Sequence, residues 1–598
     1  MLFLILLTVV LCFSVNPCSS DEHKRKAAGI EEITSRKYAK TIHIPAGSYN
    51  EPYIINTPDA EYILDGDITA DGTAVQIKSS RVTINLNGKA ITYNQKKPGD
   101  GIAVGAWNLT DISIINGTVI QGQTMSEGDQ YGAGNNPVRT VPFYVKRLYV
   151  GNIHAKYGGR DVGGIVAASS DSIFENNVLE DLWTSGTFKN RHQGIDALAG
   201  SKHIRIETNN IYRNNTIKDC RHRGISAGNN SIIHNNNISI NSLATNSTGI
   251  SFGPGSKVYD NTITGRGEHP IGIFYVSKAG EVEIFNNTID VQTTKLGDEY
   301  EAAGGNFAAG FRTTWGGNNI NFHNNKIIVR TDSNFKGSYS STGKPVIVNS
   351  KGRGLMVAVN AGEKAVFSNN EITVLDKDGT GKAYGIACTG NNVGEMIFEK
   401  NIVKSNVLNV ALGDAYGACA GYPLFIRNTF IKVDNYSTYR TVSAELGGYY
   451  EGTGRFVSNI YKDGASQENI NINPKSRTKK SLLFGQEVVI AVIDTKSNKP
   501  IPGVAVEMKS SDIQMNVSAV TEAYGSAKII FYEYELHNQG RKQQIRRTDH
   551  FIIKAFINKE SYQSKAVASG SLKFFNKHEI MLYDEMNQET GKKILISN

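Results

Sequence analysis

The stretch "RGISAGNNSIIHNNNISINSLATNSTGISFGPGSKVYDNTI", residues 223–263, contains the same pair of short phrases twice. Each copy opens with a glycine followed by isoleucine and continues to an asparagine-rich phrase that ends in isoleucine. Short apolar runs of strand length lie between the phrases, and the 3.6-residue period of an amphipathic helix is absent from them. The stretch therefore predicts short strands separated by turns.

The same two phrases recur along much of the chain. The asparagine phrase begins at residues 176, 214, 235, 260, 286, 324, 369, 400 and 427. The Gly-Ile phrase or a close variant has its glycine at residues 164, 194, 224, 249, 272, 310, 354 and 385. A repeat of about 20–30 residues made only of strands and turns is typical of a β-solenoid. The asparagine suits a stacked turn, since its amide tolerates a left-handed backbone and bonds the asparagines above and below.

This alternation resembles the repeat of right-handed parallel β-helix proteins, which share their fold with pectate lyases and polygalacturonases. The opening phrase "YILDGDITADGTAVQIKSSRVTINLNGKAIT", residues 62–92, also resembles the first coils of such proteins. The resemblance extends over roughly residues 41–470. It implies an all-β fold, a right-handed parallel β-helix followed by a small Ig-like β-sandwich. It does not fix the activity, because enzymes and non-enzymes share this repeat.

The chain is predicted to have five segments. Residues 1–20 form a short apolar run that indicates a signal peptide, and residues 21–40 form an N-terminal segment. The β-helix is predicted over 41–472 and a basic linker over 473–485. Residues 486–598 resemble a carboxypeptidase-regulatory-like β-sandwich, through the phrases "PIPGVAVEMK" and "TEAYG". We expect a secreted protein, extracellular or at the cell surface.

Composition narrows the choice of partner. The net charge is +8 and only five cysteines occur, two of them in or beside the signal segment. The other three are too scattered to predict a disulfide framework or a metal cluster. No later stretch is apolar enough to predict a membrane span, and no nucleic-acid-binding motif occurs. The basic excess suits an anionic partner, for which we expect an extracellular polysaccharide.

Two repeats carry an unusual set of basic and acidic residues around their glycines. "NRHQGIDALAG" places Arg191, His192 and Asp196 there, and "CRHRGISAGNN" places Arg221 and His222 at the same positions one repeat later. Adjacent coils lie about 4.8 Å apart, so each pair of equivalent residues is expected to stack. If the isoleucine points inward, strand alternation predicts that His192, the glycine and Asp196 face outward. In pectate-lyase-like folds this outer face carries the catalytic site.

These residue types favour chemistry on uronic acids. A lyase or C5-epimerase must neutralise the sugar carboxylate, remove the C5 proton and supply a proton elsewhere. Arginines suit the first task, histidines the second, and Tyr275 or His269 the proton donor. The predicted catalytic residues are His192, Asp196, His222, Arg223 and Tyr275. The predicted substrate-binding residues are Arg191, Arg221, His269, Arg312 and Trp315.

Other interpretations remain open. An inverting glycoside hydrolase would use Asp196 with a second carboxylate from Asp181, Asp219 or Glu268. Asp161, Asp196 and Glu268 are a weak set for a Ca²⁺ site, so no metal is assigned and the cofactor is left unknown. A non-catalytic surface protein or adhesin could hold glycans on the same face. The outer face could also be solvated, with Asp161 paired to Arg191.

Overall fold

The structure, a computed structural model, consists of β-strands and turns. It describes residues 36–597 apart from the following gaps: 123–135, 157–163, 181–192, 198–207, 221–222, 243–246, 276–279, 295–298, 301–306, 314–318, 334, 340–344, 349, 360–361, 378–382, 389–393, 414–422, 434–439, 445–451, 473–479, 514, 540–541, 558–559, 566, 569–577 and 584–588. The chain divides into two compact units, residues 1–186 with 195–216 and residues 187–194 with 217–598. The described residues contain no helix that could cross a membrane.

The first unit stacks its strands in parallel. One of its sheets, here called the glycine sheet because its strands carry or align with the Gly-Ile phrase, consists of Tyr53–Ile55, Val75–Ile77, Ile102–Val104, Val138–Arg139, Ile165–Ala167 and Gln193–Ala197. The remaining strands of this unit are Lys40–Ile44, Gly47–Tyr49, Ala60–Leu64, Ile68–Ala70, Val82–Asn85, Ala90–Tyr93, Leu109–Gln121, Val145–Lys156, Ser169–Ser170, Ile173–Glu175, Val178–Leu179 and Ile211–Arg213.

The second unit repeats three strands in each coil. Its glycine-sheet strands are Arg223–Ser226, Ser247–Phe252, Pro270–Tyr275, Phe307–Thr313, Lys351–Val357, Ala383–Cys388, Leu408–Leu412, Val442–Ala444 and Ile470–Ile472. The strands before the asparagine phrases are Ile232–His234, Lys257–Tyr259, Val282–Phe285, Ile320–His323, Lys364–Ser368, Glu395–Glu399, Leu424–Ile426 and Gly452–Val457. Those after them are Thr216–Cys220, Asn237–Ser242, Thr262–Gly267, Thr288–Thr293, Lys326–Thr331, Glu371–Asp376, Ile402–Ser405, Thr429–Lys432 and Ile460–Lys462. Glu299–Tyr300, Phe335–Tyr339 and Pro345–Val348 form a small separate sheet.

Parallel stacking confirms the predicted all-β, right-handed parallel β-helix. Successive coils pair residue by residue: Ile233 with Val258, Val258 with Ile284, and Ile284 with Phe322. All four side chains are buried. A single strand cannot bury its inner face alone, so the stacked coils share one continuous apolar interior.

The asparagine turn divides two tasks between neighbouring residues. The first residue of the phrase adopts a left-handed backbone, with φ of 54° at Asn235 and 55° at Asn286. The second residue builds a buried ladder, in which the backbone N–H and Nδ2 of Asn261 both donate to Oδ1 of Asn287, at 3.1 and 2.9 Å. In the second unit, this ladder runs through Asn236, Asn261, Asn287, Asn325, Asn370, Asn401, Asn428 and Asn459. The sequence predicted a stacked asparagine but assigned both tasks to one residue.

The glycine of the Gly-Ile phrase recurs because the chain packs closely across the coil at this position. A Cβ added at Gly224, Gly249, Gly272, Gly310, Gly354 or Gly385 would lie 2.2–2.5 Å from a methyl group of a buried isoleucine or valine. The expectation that the glycine faces outward is therefore wrong for these coils. Both the glycine and the isoleucine after it point inward, so strand alternation is interrupted between them.

The strands that follow the β-helix are antiparallel among themselves. They are Lys480–Asp494, Lys499–Pro500, Ala505–Ser510, Met515–Val520, Ser526–Gln539, Lys542–Arg547, His550–Ile557, Glu560–Gln563, Val567–Ala568, His578–Tyr583 and Glu589–Ser597. The first begins inside the predicted linker 473–485 and pairs in parallel with Gly452–Val457 of the last coil. These strands enclose their own apolar core, which includes Val492, Val506, Ile553 and Leu582.

Candidate functional site

The outer face of the glycine sheet presents two positions of each repeat. These are the residue just before the glycine and the second residue after it. The glycine and the isoleucine that follows it both point inward, so the residues on either side of this pair both face outward. The register joins the second of these positions into one column, from Ser226 to Ser251, Phe274, Arg312 and Met356. The alignment on the glycine predicted this column.

Arg312 lies between two aromatic rings on this face. Its guanidinium carbon is 5.6 Å from the centre of the Phe274 ring and 5.5 Å from that of Phe307. Phe307 belongs with Ile271, Ala309 and Met356 to an apolar cluster that is separate from the helix interior. Stacking a guanidinium on aromatic rings directs its N–H groups along the plane of the group, away from the ring faces. The arrangement holds a cationic, planar donor group in a fixed place.

His269 lies beside the same cluster. Its ring centre is 6.3 Å from that of Phe307, and its residue is 7% exposed. The neighbouring Glu268 is equally buried, and its carbonyl oxygen accepts a hydrogen bond from the Phe307 backbone N–H at 2.8 Å. The structure thus brings two of the sequence-predicted residues, His269 and Arg312, close to the same phenylalanine, Phe307.

A further arginine on this face was missed by the sequence analysis. Arg353 is only 2% exposed, its guanidinium lies 3.9 Å from the centre of the Tyr384 ring, and its Nη1 donates to the Gly352 carbonyl oxygen at 2.8 Å. The signal was present in "RGLMVA", which puts Arg353 just before its glycine, as "RGISAG" does with Arg223. Arg223 itself is half-buried at the outward position and pairs in register with Thr248.

Tyr275 does not present its hydroxyl to this face. It follows the outward Phe274 directly, so strand alternation turns it into the helix. There it is completely buried and stacks on Phe252, with ring centres 5.2 Å apart. Its burial does not fit the role of an outward proton donor that the sequence analysis gave it.

The first unit carries an ion pair on its own part of the glycine sheet. Asp100 and Arg139 are both buried, with Arg139 Nη1 3.4 Å from Asp100 Oδ2. Burial raises the pKa of the Asp100 carboxyl, although Arg139 and the hydrogen bonds from Asn136 lower it. This pair was not among the predicted site residues, although "GDGIAV" at residues 99–104 repeats the Gly-Ile phrase.

Asp196 lies in the same column of the first unit. The strand Gln193–Ala197 pairs with Ile165–Ala167, with Asp196 beside Val166, and Val166 pairs in turn with Arg139. The side chain of Asp196 lies outside the described residues. So do five predicted site residues and the proposed counter-charge: Arg191, His192, Arg221, His222, Trp315 and Asp161. At the position of the two histidines, the described repeats hold the buried Ser247, Pro270, Ala308 and Ala383.

Clusters of metal-binding side chains are absent from the part of the chain that the structure describes. There, no three histidine, cysteine, aspartate or glutamate side chains lie close enough together to hold an ion. Cys220 and Cys388 are buried thiols without a disulfide. The described part of the site therefore consists of arginines, aromatic rings and one histidine.

The chain was compared with solved structures, curated sequences and protein families. Solved structures with similar coordinates include the tailspike protein of E. coli bacteriophage HK620 in complex with a pentasaccharide, at 12% identity and a TM-score of 0.36, covering 89% of this chain and 90% of that chain. They also include the catalytic unit of a GH87 α-1,3-glucanase from Streptomyces thermodiastaticus, at 14% identity and a TM-score of 0.31, covering 74% and 66%. No curated protein sequence matches this chain. Residues 159–327 match the family described as right handed beta helix region, which agrees with the parallel coils that the structure shows over the described part of that range.

Proposed function

We propose that the outer face of the glycine sheet binds an extracellular polysaccharide that contains uronate groups. The protein acts on the bound polysaccharide as a lyase or a C5-epimerase. The observation that supports the proposal is the placement of Arg312 between Phe274 and Phe307. A guanidinium held in this way can receive a carboxylate through two parallel N–H donors. The rings beside it offer an apolar surface to the face of a sugar.

The chemistry follows from charge neutralisation. A uronate carboxylate paired with Arg312 withdraws more electron density from C5, which makes the C5 proton easier to remove. His269, whose ring is close to Phe307, supplies an imidazole, the side-chain type used most often for proton transfer. Loss of the C5 proton followed by departure of the O4 substituent is elimination, and return of a proton to the opposite face is epimerisation.

Asp196, Arg223, His192 and His222 remain part of the proposal. Asp196 lies on a glycine-sheet strand of the first unit and Arg223 on one of the second, and His192 and His222 occupy equivalent positions of neighbouring repeats. A secreted protein would meet such a substrate outside the cell, in line with the apolar start of the chain. The assay below tests whether the activity requires Ca²⁺. It also tests the alternative reaction, hydrolysis through Asp196 and a second carboxylate.

The test is to incubate the purified protein with a panel of uronic-acid polymers, with added Ca²⁺ and with EDTA. Ultraviolet absorbance reports unsaturated products, reducing-end assays report hydrolysis, and NMR of the recovered polymer reports epimerisation. Unsaturated products or altered uronate composition support the proposal. New reducing ends without unsaturation indicate the hydrolase, and binding without any chemical change indicates a glycan-binding surface protein.

Two variants separate the outer face from the interior. His269→Gln should lower the rate at least about hundredfold, which is the usual loss when a proton-transfer group is removed. Tyr275→Phe removes a hydroxyl that points into the helix, so the rate should stay within about threefold of wild type. Equal losses in both variants would contradict the assignment of the chemistry to the outer face.

A further inference from the structure

The first unit contains a groove of about 190 Å³ that the proposed function does not use. It lies on the outer side of a sheet other than the glycine sheet, over the strands Ala60–Leu64, Val82–Asn85, Leu109–Gln121 and Val145–Lys156. Its lining is Arg36, Tyr38, Glu61, Thr83, Ser113, Ile115, Asn116, Tyr149 and Asn152. Seven of these nine are uncharged, and one arginine and one glutamate make up the rest.

The floor of the groove is a column of hydroxyl-bearing residues. The register pairs Glu61 with Thr83, Thr83 with Ser113, and Ser113 with Tyr149. The Tyr149 ring lies against Gly151, where an added Cβ would be 2.5 Å from the tyrosine oxygen. The phenol donates to Glu175 at 2.6 Å, and burial together with Glu175 raises its pKa, so Tyr149 presents a neutral ring.

One wall of the groove is a chain of amides that ends at a carboxylate. Asn152 Nδ2 donates to Asn116 Oδ1 at 3.0 Å, and Asn116 Nδ2 donates to Asn85 Oδ1 at 3.4 Å. Asn85 Nδ2 then donates to Glu61 Oε1 at 3.2 Å. The chain fixes the orientation of each amide and holds the Glu61 carboxylate in place.

The N-terminal segment supplies the other wall. The Thr83 hydroxyl donates to the Tyr38 hydroxyl oxygen at 3.0 Å, which leaves the phenolic O–H directed elsewhere. Arg36 lies 3.9 Å from Asp111, a long contact for an ion pair. Within the described part of the chain, Arg36 Nη1 and the hydroxyl of the 2%-exposed Ser113 have no hydrogen-bond partner. Buried polar groups in native proteins are normally paired, so these two atoms point to a ligand.

We propose that this groove binds a neutral sugar unit. Hydroxyls and amides both donate and accept hydrogen bonds, as the hydroxyls of a sugar do. Glu61 can accept from sugar hydroxyls but repels a carboxylate, while Arg36 balances its charge. The Tyr149 ring and Ile115 supply the apolar contact that a pyranose face requires. The ligand class therefore differs from the uronate proposed for the glycine sheet, and this site does not depend on that proposal.

The experiment is ligand-observed saturation-transfer NMR on the full-length protein with D-glucose, D-galactose, N-acetyl-D-glucosamine and D-glucuronate. At least one of the three neutral sugars should receive saturation, and D-glucuronate should bind at least about tenfold more weakly. Glu61→Gln keeps the shape and the amide chain but should weaken the neutral sugar about tenfold, since a charge-assisted acceptor is lost. Ile115→Trp fills the groove and should abolish binding.

Glu395→Gln is the matched control, because it makes the same substitution at an exposed position of the second unit and should leave the sugar affinity unchanged. Three results would overturn the groove assignment: no saturation of any neutral sugar, binding that survives Ile115→Trp, or a Glu395→Gln loss equal to that of Glu61→Gln. If Ile115→Trp fails to fold, Glu61→Gln decides alone, and an unchanged affinity overturns the site. If the uronate assays show no activity, the sugar-binding experiment on the groove still decides the groove assignment.

Discussion

At the scale of single residues, close contacts explain why the repeat keeps its glycines. At Gly310 an added Cβ would lie 2.2 Å from Ile327 Cγ2 and 2.8 Å from the Gly354 carbonyl oxygen. The first contact joins two sheets across the coil, and the second joins neighbouring strands of one sheet. The glycines therefore serve the packing of the β-helix. The reactive groups of the proposed site must come from the residues next to these glycines in the sequence.

Gly310→Ala is expected to destabilise the second unit by about 1–3 kcal/mol, the usual range for overpacking a core. The measurement is the shift of the chemical denaturation midpoint. Ser251→Ala, in the outward column, is the control and should change stability by about 0.5 kcal/mol or less. Equal midpoints for Gly310→Ala and wild type would show that the interior can absorb the methyl group.

Glu283 provides a residue-scale prediction for acid conditions. His323 and Lys257 hold the pKa of its carboxyl at about 2, against an ordinary value of 4.5. A carboxyl with a lowered pKa in the folded state stabilises that state above its unfolded pKa, and the contribution disappears as the pH falls through 4.5 towards 2. The unfolding temperature of Glu283→Gln should therefore fall less steeply with pH over this window than that of wild type. Parallel curves would contradict the ion cluster.

At the scale of elements, the asparagine turn and the glycine-sheet strand show what the sequence can reveal. The repeat predicted the solenoid and its register, because most coils from residue 164 onward carry the same two phrases. It predicted the outward column after the glycine but not the outward residue before it, because simple alternation fails where the glycine and the isoleucine both point inward. Arg353 was missed for this reason, and Tyr275 was assigned to the wrong surroundings.

The ladder can be tested one rung at a time. Asn287→Ala removes the acceptor of two Asn261 donors and the donor to Asn325, all buried. Leaving such groups unpaired should cost about 3 kcal/mol or more, measured by the denaturation midpoint. Asn286→Gly is the matched neighbour: its residue is exposed and left-handed, so the variant should lose only a few tenths of a kcal/mol. A small loss at Asn287 would mean that the strands alone hold the coil.

At the scale of the second unit as a whole, the C-terminal strands cover the end of the β-helix. The strand Lys480–Asp494 pairs with the last coil, and a stack of rings continues across the junction through Phe425, Phe456, Phe484 and Tyr534, with centres 4.7–5.1 Å apart. Arg427 adds a bidentate pair to Glu487, with Nη2 2.6 Å from Oε1. An uncovered coil would expose unpaired backbone and aromatic surface.

A chain that ends at Ile472 should therefore aggregate. It loses the partner of strand Gly452–Val457 and the covering of the Phe456 ring. Light scattering at equal concentration measures the effect. Glu487→Gln, which weakens one contact but keeps the covering strands, should scatter like wild type. A truncated chain that stays as dispersed as the full-length protein would show that the last coil needs no cover.

Arg312 on the outer face of the glycine sheet is proposed to receive the carboxylates of an acidic glycan. Calorimetric titration of a uronate polymer and of its carboxyl-reduced, neutral form into wild type and Arg312→Ala tests this role. Wild type should bind the acidic polymer at least about tenfold more tightly than the neutral form, and Arg312→Ala should lose this preference. Equal affinity for both polymers, or a preference that survives in Arg312→Ala, would contradict it.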